Sequence, residues 1–157
     1  MAQPNKINYN IIGLKINKIS SFPKLYNDKD SNFNTEINLG IGIKSQKDNS
    51  FIMRTKVSII QSTNTISFID VTCIVGIVET DWQLLINNKI ITIPNEFIHH
   101  IFSYIFNIAS GALLLKNKNN VLSEFFLPPQ VFSFINEDYV YDFNKKAKTK
   151  KIDKKKD

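Results

Sequence analysis

A single cysteine, Cys73, excludes an intrachain disulfide framework and suits a reducing compartment. Side chains at metal-ligand spacing are missing as well. His99 and His100 are adjacent, diverge by about 100° on a helix, and have no acidic or sulfur partner at i+3 or i+4. Gly40 and Gly42 lack the third glycine and the following helix of a dinucleotide fingerprint, so they read as strand positions where something packs closely. No serine occupies a nucleophile elbow. No catalytic residue, metal or cofactor is therefore expected. The opening MAQPNKINYNIIGLK has no basic region followed by an apolar one, and a cytoplasmic protein is the expectation.

Acidic charge is scarce only at one end. The last thirteen residues, KKAKTKKIDKKKD, hold eight lysines and two aspartates, which accounts for the whole net charge of +6. Residues 1–144 keep 12 basic and 12 acidic side chains of the 20 and 14 in the chain. One domain over 1–144 and a disordered Lys-rich tail over 145–157 follow, because such a run has almost no apolar area to bury. The tail is either solubilising or a contact for nucleic acid, ribosome, acidic protein or anionic membrane. The neutral body shows no basic groove with interleaved aromatics, so nucleic acid or an anionic surface is expected only through the tail.

Period-two patterns dominate the first half. In 33–43, FNTEINLGIGI, the residues Phe33, Ile37, Leu39, Ile41 and Ile43 share one face, with Asn34, Glu36, Asn38 and two glycines on the other. In 50–61, Phe51, Met53, Val57 and Ile59 alternate with Ile52, Arg54, Lys56 and Ser58. A turn at 62–64 leads to a hairpin partner over 65–78, β-branched and apolar on both faces in its second half, which predicts a central position or cover on both faces. The first strand, 7–19, shifts its apolar phase near Ile11 and Ile12, the mark of a bulge or a change of covering face.

After a loop holding Trp82 and Asn87-Asn88, Pro94 opens a helix to about residue 115, roughly 33 Å long. Its polar stripe is narrow: Glu96, His100, Ser103, Asn107 and Ser110. Such a helix needs more cover than one four-stranded sheet provides, so a subunit interface is expected through Ile101, Ile105, Ile108, Ala109 and Ala112. Residues 97–115 carry no Asp, Glu, Lys or Arg, as in a membrane span, but the two histidines, Asn107 and other small or polar residues argue for a soluble core helix.

Four antiparallel strands, a loop, a long helix and an irregular Pro-containing C-terminal segment is an α+β order that resembles the SecB-like export chaperones. Leu127-Pro128-Pro129-Gln130-Val131-Phe132 looks like that family's Leu-x-Pro-x-x-Phe segment after the long helix. Ile19-Ser20, and Ala109-Ser110-Gly111-Ala112-Leu113 followed by a polar loop, are similar to further stretches of it. The likeness spans about 7–134. It implies a cytoplasmic homotetramer, a dimer of dimers with the long helices between two larger sheets, and unfolded polypeptide clients in apolar grooves. The groove positions fall on Trp82, Phe125, Phe126, Phe132 and Phe134. The proline pair keeps the segment from forming helix or inner strand, and aromatics give geometry-tolerant contact area.

The family's translocase motor docks on an acidic sheet face. Two of those acidic positions fall here on Lys18 and Phe22; Asp70, beside Phe68, matches a third. These departures argue against motor docking and leave Phe68 and Asp70 as the partner-docking candidates. The functional expectation is an ATP-independent holding chaperone that serves unfolded or nascent chains. A dedicated adaptor for one folded partner, as in a toxin-antitoxin system, and a small-molecule-binding α+β domain are the alternatives.

Overall fold

The computed structural model describes residues 6–123 and 136–145. Phe125, Phe126, Phe132 and Phe134, the proline pair and the tail beyond residue 145 lie outside them. The first four strands are β1 (Tyr9–Ser21), β2 (Phe33–Gly42), β3 (Ser50–Gln61) and β4 (Asn64–Ile77). They form one antiparallel sheet in the order β1-β4-β3-β2, so β4 is an inner strand, the first of the two readings its apolar pattern allows. Register keeps the alternation in phase across the sheet: Ile37 opposes Val57, and Val57 opposes Ile69. One face therefore collects Phe51, Met53, Val57, Ile59, Ile69, Val71, Cys73, Val75 and Ile77, all buried. Burial also pushes the Cys73 thiol pKa up.

The phase shift in the first strand is a β-bulge between Ile11 and Gly13, and a second bulge falls between Ile16 and Lys18. Each supplies an extra residue that leaves the alternation. Ile12 lies across Gly76 on the neighbouring strand, in the space a Cβ there would take. Asn17 turns over the sheet face and donates to Asp70 Oδ1 at 3.0 Å and Thr72 Oγ1 at 2.7 Å.

The long helix α2, Asn95–Asn117, closes the apolar face. Pro94 precedes it and accepts the first hydrogen bonds, from Phe97 and Ile98. Its buried side chains are Phe97, Ile98, Ile101, Phe102, Ile105, Phe106, Ala109 and Leu113, with Asn117 at the end. Each large one contributes roughly 1.5–3 kcal/mol by leaving water. The helix is long and apolar enough to cross a membrane by length and composition alone, and in this fold 39% of that apolar stretch is buried. The Tyr9 hydroxyl meets His100 Nε2 at one end of the helix and the Ser21 hydroxyl donates to Asn117 Oδ1 at the other. The helix therefore runs beside β1.

Short elements complete the fold outside the periodic segments, three of them in the stretch around Trp82 and Asn87-Asn88 expected to be loop. Helix α1 spans Glu79–Leu84. Strands β5 (Ile86–Asn87), β6 (Ile90–Ile93) and β7 (Tyr139–Asp142) make a second antiparallel sheet. The β5-β6 connection is the pair Asn88-Lys89, with φ of 48° and 66°. Two positive φ values are the signature of the hairpin turn that prefers Asn-Gly. Lys89 occupies the glycine position at a steric cost. The Lys89→Gly variant is expected to gain about 0.5–1 kcal/mol, read as a higher urea midpoint with unchanged slope.

Candidate functional site

Among the described residues, two surfaces stand out once the core is formed. The first is the sheet face away from α2. There the register aligns Lys18, Asp70 and Lys56 across β1, β4 and β3, with Lys15, Thr72 and Arg54 in the next row. Arg54 grips Asp70 through Nε, which donates to Oδ1 at 2.9 Å and to Oδ2 at 3.2 Å, and through Nη2, which donates to Oδ2 at 2.5 Å. The Arg54 hydrogen bonds hold the Asp70 carboxyl below the usual carboxylate range against the opposing effect of burial, and Asn17 and the nearby Lys56 charge add to it. Phe68 stands one step along β4, its ring approached by the ammonium groups of Lys18 at 5.5 Å and Lys56 at 5.0 Å. The Phe22 ring lies 6.3 Å away, tilted by 31°.

The second surface is the margin formed by β1 and the adjoining side of α2. β1 is a terminal strand of thirteen residues, paired with β4 alone among the described residues. It exposes Ile12 (64%), Leu14 (41%) and Ile16 (43%), and α2 exposes Tyr104, Leu114 and Leu115. Leu14 and Ile16 pair with Cys73 and Val71, and so belong to the apolar face that α2 covers over the neighbouring strands. A long strand edge with no partner among the described residues is a template for further pairing.

Several expected site residues lie elsewhere. Trp82 is wholly buried, and its indole N–H donates to the Gln46 carbonyl at 2.6 Å. It supplies core and a hydrogen bond, and no contact surface for a client. Ile101, Ile105 and Ala109 are also wholly buried inside the single chain, held in the core between helix and sheet. They are not interface residues in this fold. Ile108 and Ala112 are half-buried, at the border of the exposed helix face. Phe68 is half-exposed on the open sheet face, whereas Asp70, neutralised by Arg54, offers no free acidic group for docking. The candidates at 125, 126, 132 and 134 fall outside the described residues. Arg54, Lys56, Lys15 and Asn17 were missed as a group, because only the strand order brings β1 and β3 to either side of β4.

The sign of the Asp70 contribution sets its pH dependence. A folded pKa below the unfolded value of about 3.9 gives stabilisation that is complete above that value and lost as pH falls through the folded pKa. Asp70→Asn should cost about 1 kcal/mol at neutral pH, and the gap from the parent should close in acid when denaturant melts are compared. For the core, Ile105→Ala should cost about 2–5 kcal/mol independently of protein concentration. The only tryptophan should resist iodide quenching in the folded chain.

No protein-family model, curated protein or solved structure matches this chain.

Proposed function

We propose that this chain is an ATP-independent holding chaperone of SecB-like architecture, which assembles into a cytoplasmic homo-oligomer and binds unfolded or nascent polypeptides. The observation that carries the reading is the apolar margin, where Leu14 and Ile16 lie exposed on the helix side of β1, a strand whose outer edge has no partner among the described residues, while α2 exposes Tyr104, Leu114 and Leu115. A second copy set against β1 extends the sheet and covers this side of α2, and extended polypeptides take the remaining apolar surface. Holding acts by mass action on the unfolded state. It needs accessible apolar area and fast exchange, with no chemical step.

Leu14 and Ile16 give the direct test of assembly. The double variant Leu14→Ser, Ile16→Ser removes exposed apolar area and leaves the core residues in place, so it should stay folded and sediment as a smaller species than the parent. A parent that sediments as a monomer removes the oligomer from the reading. Client binding is tested by titrating the parent into a slowly refolding, unrelated protein at about 0.5 M salt, where the Debye length falls to roughly 4 Å and tail attraction is screened. Micromolar or tighter binding to the unfolded form alone supports holding. Binding to neither form favours the dedicated adaptor, whose one folded partner would then be sought.

A further inference from the structure

The open sheet face carries more positive charge than the pairs within it consume. β1 contributes Lys15 and Lys18, β3 contributes Arg54 and Lys56, and the acids on the same face are Asp70 on β4 and Glu36 on β2. Arg54 and Asp70 neutralise each other. Glu36 stands one strand beyond β3, where it accepts from Asn38 Nδ2 at 3.3 Å. Among the described residues, Lys15, Lys18 and Lys56 form no ion pair. Lys18 and Lys56 are two strand spacings apart, roughly 10 Å, and are oriented by the Phe68 ring between them. The Lys15 row lies two β4 residues from the Lys18 row, roughly 7 Å.

We propose that this face binds an acidic, extended segment of a partner polypeptide, whose carboxylates engage Lys15, Lys18 and Lys56 over the Phe68 ring. The charge is complementary and the spacing fits: carboxylates at i and i+2 of an extended chain stand roughly 7 Å apart, the separation of the lysine rows. Single-stranded nucleic acid is the weaker occupant. Its bases need open aromatic faces on which to stack, and the Phe68 ring is approached by two ammonium groups, with the next ring, Phe22, tilted at the rim. The proposal does not depend on the holding function.

The test uses the full chain, isotope-labelled, with a 15-residue peptide of alternating glutamate and serine and a thymidine oligonucleotide of equal length. The Lys-rich tail attracts both ligands, so the informative readouts are differences between variants and the location of shift changes. Lys18→Glu with Lys56→Glu should weaken peptide binding at least about tenfold. Lys89→Glu with Lys118→Glu makes the same change in net charge off this face, and should alter binding less than about twofold. Lys18→Gln with Lys56→Gln serves if the acidic pair disturbs folding beside Asp70, and should lose about fivefold. Shift changes are expected at Lys15, Lys18, Lys56 and Phe68. Equal losses in both charge-reversed pairs, shift changes confined to the tail, or tighter face binding by the oligonucleotide would overturn the proposal.

Discussion

The packing of α2 across the inner face of β3 and β4 is the contact on which the rest of the chain depends. Strict alternation along β2 and β3 leaves one dry face that must be covered, and only a helix with Ile98, Ile101, Phe102, Ile105, Phe106 and Ala109 on one side covers it. Once the helix lies there, the opposite face must be stable in water without a second helix from the described residues above it. Its charged rows, with Arg54 locked to Asp70, meet that requirement. The same packing places α2 beside β1 without sheathing the strand, so Leu14 and Ile16 stay exposed although they share a face with the core.

The two bulges in β1 give this arrangement its asymmetry. A regular strand would hold its apolar residues on one face throughout. Here one extra residue puts Ile12 over Gly76, and another sends Asn17 to complete the hydrogen bonding of Asp70. The edge strand thus contributes an apolar rim and one part of a polar network. Tertiary ties hold its ends. Asn8 donates from its backbone and side chain to Asp81, and Tyr9 stacks edge-on against Phe97.

Alternation and length made the large elements legible: the four strands and the long helix stand within about two residues of their sequence-derived positions, and the Ile11-Ile12 phase shift is a bulge. Elements of two to six residues carry too few positions for a period, so α1 and the second sheet went unread, and Asn88-Lys89 passed for loop. Sidedness failed for a different reason. The narrow polar stripe of α2 registers that Ile101, Ile105 and Ala109 are covered, and says nothing about which chain covers them. Trp82 shows the same gap, since an aromatic residue in a connecting segment reads alike as surface or as core. The basic rows of the open face needed the order β1-β4-β3, which no single strand encodes.

Cys73 lies at the middle of β4, between β1 and β3 and beneath α2, with no exposed surface and a thiol pKa that burial pushes up. A reagent that attacks thiolates cannot reach it until the sheet and helix separate. The chain's one sulfhydryl is therefore an internal clock for opening. In an assembled state, the rate at which it is modified would count how often the protein's centre meets water, without any added label.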